Sequence, residues 1–250
     1  MPAGGAERNA IPLYDFASQR IANHYVEAMP VRTSALRSLG GYANVFAIES
    51  FMDELAAAAK ADPVEFRLRH LSDPRGRAVI EAVARQSGWH ERARAGSGDA
   101  AHGYGIGFAK YKNLGAYCAV VAEVEVEREV RVRKLWVAVD VGLVINPDGV
   151  ANQIEGGAIQ AASWTLKEEV KFSSEGITCK VWEDYPILKF SEVPAVEVEI
   201  INRPDQKSVG AGEAAAGPTA AAIVNAVHAA LGVRVRDLPL TPERVAAAMG

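Results

Sequence analysis

The residue best placed to do proton chemistry is Glu213, set in the glycine-rich run Val209-Gly210-Ala211-Gly212-Glu213-Ala214-Ala215-Ala216-Gly217-Pro218-Thr219. Glycine lets backbone approach a ligand closely or turn through positive φ, and Gly210 and Gly212 bracket the approach to the carboxylate. Pro218 suits the first turn of the alanine-rich helix that follows, where its missing N–H costs nothing. Two readings are open on this pattern alone: a glycine turn capped by a solvated acid, or one positioned carboxylate serving as a base.

Other chemistry-bearing residues are sparser. Arg32 and Arg37 are the cations of Val31–Gly41, and surface charge accounts for each of them taken singly. Glu49 and Asp53 stand four apart on a helical pattern and could share a metal, but no histidine accompanies them, so a solvated face is the simpler account. The five histidines and two cysteines, Cys118 and Cys179, are scattered. No zinc or iron–sulfur spacing can be drawn from them, and reduced thiols in a cytoplasmic protein follow. Gly156-Gly157 sits inside a helical pattern, where each glycine loses about 1 kcal/mol relative to alanine. The pair asks for a reason, either close helix packing or a ligand pressed against the backbone.

The elements that must position these residues alternate along the 250-residue chain. Apolar residues at 49% and charged ones at 23% describe a folded protein with a sizeable core. A net charge of −4 gives no reason to expect nucleic acid, and no apolar run reaches the length of a membrane span. Residues 1–95 read as an irregular and helical segment. It opens with at most one strand, near Arg20–Val26. A helix then runs from Asn44 to Lys60, with Ile48, Phe51, Met52, Leu55 and Ala59 inward and Glu49, Asp53 and Glu54 outward. Asp62-Pro63-Val64-Glu65 caps a second helix, and Asp73-Pro74 restarts the chain into a third that stops at Gly88. Glu91 to Asp99 reads as a flexible linker.

Residues 96–250 read as α+β. Gly103-Tyr104-Gly105-Ile106-Gly107-Phe108 lacks the spacing of a dinucleotide fingerprint and reads as a strand entering a sheet. Tyr117 to Ala138 alternates with period two across a hairpin centred near Arg128, which predicts Glu125 opposite Arg131 and Glu123 opposite Arg133. That charge run is therefore structural. Strand continues over Val137–Val144, a helix runs from Asp148 to Leu166, and Trp182, Tyr185 and Pro186 form a buried corner. Val196–Ile201 is a strand, Pro218–Leu231 a helix stopped by Gly232, and Thr241-Pro242-Glu243 starts a last helix.

Several of these segments together resemble the molybdenum-binding subunit of the xanthine dehydrogenase and aldehyde oxidase family. They are Arg37-Ser38-Leu39-Gly40-Gly41, Phe46–Ala56, Asp62–Arg67, Asp140-Val141-Gly142, Asn146-Pro147, Gln153–Gln160 and Gly210–Ala214, in the family's order. The likeness is strongest to the nicotinate dehydrogenase and isoquinoline oxidoreductase branch. It implies a mixed β-sheet with packed helices, part of a molybdopterin-binding domain. It also implies oxidative hydroxylation of an N-heterocycle or an aldehyde, with water as oxygen source. Glu213 then matches the base, in a dry setting that raises its pKa, with the following helix N-terminus acting in the opposite sense. Gln153 matches a pterin-binding glutamine, Gly156 and Gly157 permit close passage of the cofactor, Ala211 and Gly212 offer N–H groups beside the metal, and Arg37 lies near it.

The cofactor implied is molybdenum–molybdopterin, in its cytosine dinucleotide form, with iron–sulfur clusters on a [2Fe-2S] small subunit. No residue of this chain is implied as a metal ligand. Family subunits are longer, and their methionine-glycine-glutamine-glycine loop is absent here. The chain thus resembles the C-terminal third of a subunit, with the upstream part as a partner. A non-catalytic fragment or assembly subunit that keeps the fold without the cofactor is the alternative.

Overall fold

The computed structural model describes residues 5–24, 26–92 and 101–250, with the side chain of residue 92 also left aside. In chain order the elements are α1 (Gly41–Ala58), α2 (Pro63–Arg69), α3 (Pro74–Ser87), α4 (Trp89–Arg92), β1 (Ala101–Lys110), β2 (Tyr117–Val126), β3 (Val130–Asp140), α5 (Pro147–Leu166), β4 (Phe172–Ser173), β5 (Gly176–Ile177), β6 (Ala195–Ile200), α6 (Ala216–Leu231) and α7 (Pro242–Ala248). No strand forms among the described residues near 20–26, and the linker reading from residue 93 onward lies outside the described residues.

Helix starts follow the capping chemistry of the sequence. Asp62 accepts from the N–H groups of Val64 and Glu65, and Asp73 from those of Arg75 and Gly76. Asn146 and Thr241 cap α5 and α7 in the same way, each ahead of a proline at the first helical position.

The main sheet has the order β1-β2-β3-β6. Its first three strands are antiparallel neighbours, and β6 lies parallel to β3 after the crossover through α5. Helices cover both faces, so β2 is buried on both sides and reads as the nearly unbroken apolar run Tyr117–Ala122. Cys118, Val120 and Ala122 pack with α5 and α6, whereas Ala119 and Val121 pack with Val79, Ile80 and Val83 of α3 and Met52 of α1. That second cluster draws on both halves of the chain.

Three alternate glycines of β1 admit α6 against the sheet. A Cβ on Gly103, Gly105 or Gly107 would lie 2.0, 2.2 or 2.3 Å from α6 backbone atoms. With α1 and α5 on its other sides, α6 is buried all round from Ala216 to Val227 rather than along one stripe.

Four sequence expectations are corrected. First, Glu49 and Asp53 face inward while Phe51 is exposed, because Arg67 of α2 is itself fully buried beneath them. Glu49 accepts from Arg67 Nε at 2.8 Å, the Tyr14 hydroxyl at 2.7 Å and the Phe108 N–H at 3.0 Å. Asp53 pairs with Arg234 at 3.1 Å. The charges are thus spent on one another.

Second, Glu125 does face Arg131, but Glu123 faces Lys134, because a β-bulge between Glu123 and Val124 inserts one residue on the β3 side. Third, β3 ends at Asp140, where its carboxylate takes the Gly142 N–H and Gly142 turns at φ +73°. Fourth, Trp182 is 82% exposed and Pro186 is also exposed, so no buried corner forms; of the three only Tyr185 is partly buried, its hydroxyl donating to Glu168 Oε2 at 2.7 Å.

Candidate active site

Three segments far apart in sequence meet at the glycine-rich loop. The loop is anchored at the sheet by Val209 N–H donating to Val141 O at 2.9 Å, and it feeds directly into α6. α5 presents Gln153, Gly157 and Gln160, four and then three residues apart and hence on one face. The segment before α1 brings Arg37 and Ser38.

Arg37 ties these together. Its Nε donates to Gly212 O at 2.5 Å, and Nη2 donates to Gln153 O at 2.9 Å and Gln153 Oε1 at 3.3 Å. Nη1 donates to Gln160 Oε1 at 3.2 Å. A guanidinium carries five donors in a rigid fork, so one side chain can register a helix against a loop. Burial lowers the Arg37 pKa, and the neighbouring Glu213 works against that.

Gly157 has a clear reason to be glycine. A Cβ there would stand 3.1 Å from Arg37 Nη2, inside ordinary contact distance. Gly156, its neighbour, has nothing within 4 Å of such a Cβ, and neither has Gly210. A Cβ on Gly212 would meet only Gln153 Oε1, at 3.4 Å. Ala211 is partly buried against the α5–α6 core cluster.

The carboxylate of Glu213 is held from the other side. Ser38 N–H donates to Glu213 Oε1 at 2.9 Å, and Ser38 Oγ donates to Glu213 O at 2.8 Å. Burial pushes the Glu213 carboxyl up, but the Tyr111 hydroxyl, the Ser38 N–H and the charges of Lys112 and Arg8 outweigh it, leaving it below its ordinary value. This runs against the raised value expected from a dry glycine loop: burial is the largest single influence, but the donors and cations around the carboxylate together exceed it.

Of the residues singled out from sequence, the structure joins Arg37, Gln153, Gly157, Gly212 and Glu213. It leaves Gly156 on the open side beside them. Gln160, Ser38, Tyr111 and Arg8 are additions. Gln160 lies seven residues beyond Gln153 on the same helical face, a spacing that could have been read, whereas Tyr111 and Arg8 arrive only through the tertiary fold.

The residues fit a cofactor with hydrogen-bonding edges. The Gln153 amide nitrogen has no partner among the described residues, although its oxygen is fixed by Arg37. A Cβ on Gly156 or Gly210 would meet no atom of the described residues within 4 Å. Among the described residues no group of three or more histidine, cysteine or acidic side chains gathers to hold a metal ion.

The class of domain follows from the family that the chain matches. The family model described as "Molybdopterin cofactor-binding domain" matches residues 23–194, and the chain belongs to that family. It is 41% identical to a nicotinate dehydrogenase subunit of Pseudomonas putida over 98% of this chain and 22% of that one. It is 38% identical to the beta subunit of isoquinoline 1-oxidoreductase of Brevundimonas diminuta, over 92% of this chain and 29% of that one. The chain therefore spans about a quarter of the length of these relatives.

Among solved structures, quinoline 2-oxidoreductase from Pseudomonas putida 86 superposes with a TM-score of 0.74 at 16% identity, over 86% of this chain and 53% of that one. The aldehyde oxidoreductase of Desulfovibrio desulfuricans superposes with a TM-score of 0.74 at 17% identity, over 86% of this chain and 41% of that one. These likenesses establish the shared fold. No described helix is long and apolar enough to cross a membrane.

Proposed function

We propose that this chain supplies the base and part of the cofactor cradle of a molybdenum hydroxylase large subunit, for oxidative hydroxylation of an N-heterocycle or an aldehyde with oxygen from water. The observation that carries this reading is the Arg37 fork, which holds Gly212 and Gln153 together one residue away from the Glu213 carboxylate. Gln153, Gly156, Gly157, Ala211, Gly212 and Arg37 would hold molybdenum–molybdopterin, the cytosine dinucleotide form being the one we assign. That group supplies Lewis acidity and accepts the two electrons of the oxidation.

Glu213 does the proton work. With its pKa held below the ordinary value the carboxylate is ionised at neutral pH and ready to accept a proton. One oxygen is fixed by the Ser38 N–H, which restricts the side chain to a single approach direction. Arg37, a cation beside the loop carbonyl, keeps Gly212 from turning away.

Electrons leave through iron–sulfur clusters on a [2Fe-2S] small subunit in this proposal, and the remainder of the large subunit completes the site. We assign the outer side of the arm from Lys167 to Glu192 to contact with that remainder. Trp182, Phe190, Val181 and Ile187 are all more than half exposed there, and the relatives carry about three-quarters of their length outside the matched region. The free thiols Cys118 and Cys179 agree with a cytoplasmic setting.

The test assembles this chain with the upstream part of the subunit and compares wild type with Glu213→Gln on isoquinoline, nicotinate and an aromatic aldehyde. Loss of turnover by roughly 10²–10⁴-fold is expected for removing a general base. Normal turnover by the variant would rule out Glu213 as the base.

A further inference from the structure

The surroundings of Glu213 contain more built structure than a lone base requires. Among the described residues, the non-glycine positions with positive φ are Asn9, Ser38, Leu39, Lys60, Lys112 and Asn113. All except Lys60 lie in the three segments that face this carboxylate. Such backbone is costly, and it persists where surrounding contacts over-determine it.

Those contacts can be traced. Asn9 Nδ2 donates to Lys110 O at 2.8 Å, and its Oδ1 accepts from the Lys112 N–H at 2.9 Å, which pins the turn after β1. Asn44 of α1 donates to Ala6 O at 2.7 Å and Arg8 O at 2.9 Å, which pins the N-terminal arm. The arm passes so close to Gly40 that a Cβ there would lie 2.1 Å from Ala6 O, holding Ser38 in its left-handed turn.

The arm delivers Arg8, whose Nη1 donates to the Tyr111 hydroxyl oxygen at 2.8 Å. A phenol has one proton. With its oxygen taking a bond from Arg8, that proton is left to donate, and the neighbouring Glu213 carboxylate is the group whose interaction helps to raise the Tyr111 pKa. The chain of donors runs from guanidinium to phenol to carboxylate, each bond polarising the next.

We infer that Tyr111, backed by Arg8, and the Ser38 N–H are positioning residues that clamp the Glu213 carboxylate in one orientation. The inference rests on the reading of Glu213 as base only for its functional meaning, because the clamp is a property of the folded chain. Tyr111 stays protonated through the working range, its pKa pushed up to about 12 by burial first and by Glu213 second, so it is a permanent donor. The other charges facing Glu213 are Arg8, Lys112 and Arg37.

The experiment follows the Glu213 side-chain carboxyl by ¹³C NMR in the full chain across acid pH, with the signal assigned by its loss in Glu213→Gln. In wild type the Ser38 amide proton should titrate with the same midpoint. Tyr111→Phe and Arg8→Gln should each move the midpoint to higher pH, and Arg8→Lys should bring it back towards wild type. A Ser38 amide that ignores the Glu213 titration would overturn the clamp. A wild-type midpoint in Arg8→Gln would overturn the relay, and that substitution decides the matter even if Tyr111→Phe fails to fold. Failure of the base reading shows separately, as normal turnover by Glu213→Gln with these midpoints intact.

Discussion

Arg37 and Gly157 are matched in space: the guanidinium Nη2 lies 3.1 Å from where a Cβ on Gly157 would sit, while the adjacent Gly156 has nothing within 4 Å. The two glycines of one helical turn therefore predict opposite outcomes. Gly156→Ala should stabilise the chain by about 0.5–1 kcal/mol, the helix-propensity difference. Gly157→Ala should lose that gain by displacing a guanidinium that makes four hydrogen bonds. Thermal unfolding of the two variants checks this, with Gly156→Ala melting above Gly157→Ala. In the assembled enzyme the same Gly156→Ala should weaken cofactor retention, measured as bound molybdenum, because its open side faces the proposed cradle.

The contact between β1 and α6 gives a sharper prediction. A Cβ on Gly105 would lie 2.2 Å from Ala226 N and 2.3 Å from Ala222 O, and both are backbone atoms of a fully buried helix. Neither can yield without moving α6 off the sheet. Gly105→Ala should cost at least about 2–3 kcal/mol, at the upper end for overpacking a well-filled core, visible as a lower urea midpoint or loss of soluble protein. Wild-type stability in this variant would contradict the packing described.

How much of this is legible from sequence depends on how local the cause is. Caps such as Asp62 and Asp73 act within three residues, and the expected helix starts appear where their carboxylates bind. The Glu125–Arg131 pairing lies next to its turn and is readable by counting, whereas Glu123 loses Arg133 to a bulge that no alternation pattern announces. On α1, Met52, Ile48 and Leu55 pack inward as expected, but Glu49 is also buried, because the charge that draws it in, Arg67, lies 18 residues away on another helix. At the site, Glu213, Gln153 and Arg37 carry a resemblance, but Ser38 and Tyr111 meet Glu213 only through folding, and they set its pKa in the direction opposite to that expected.

Asp140 supplies a pH prediction. It is fully buried, takes Arg75 at 2.5 Å and Arg203 at 2.8 Å, and joins the end of β3 to α3 and to the stretch after β6. Burial raises its pKa, but the Arg75 pair, the Gly142 N–H and Arg203 outweigh that and leave it lowered from 3.8. A carboxylate with a depressed folded pKa contributes stability that is present above the unfolded value and lost as pH falls through the folded one. Asp140→Asn should therefore cost about 2–3 kcal/mol at pH 7. The gap to wild type should shrink as the pH is taken well below the ordinary aspartate value. Urea unfolding of both proteins at neutral and at strongly acid pH measures it, and a gap that does not depend on pH would mean that the Asp140 charge contributes nothing.

The exposed arm separates stability from assembly. Trp182 is 82% exposed, and Phe190 shows no burial at all, so neither holds the 250-residue chain together. Replacing both with serine should leave the unfolding midpoint within about 0.5 kcal/mol of wild type, as for surface changes remote from caps, cavities and ion pairs. It should also reduce self-association of the isolated chain, because removing two large apolar groups from water-facing positions takes away the drive to cover them. If these side chains serve the remainder of a larger subunit, the double variant should fail to pair with the upstream part while keeping its own fold. Light scattering of the isolated chain and a titration with the upstream polypeptide read the two effects independently. Unchanged affinity for that polypeptide would remove the arm from the interface and leave its aromatic residues without a structural reason.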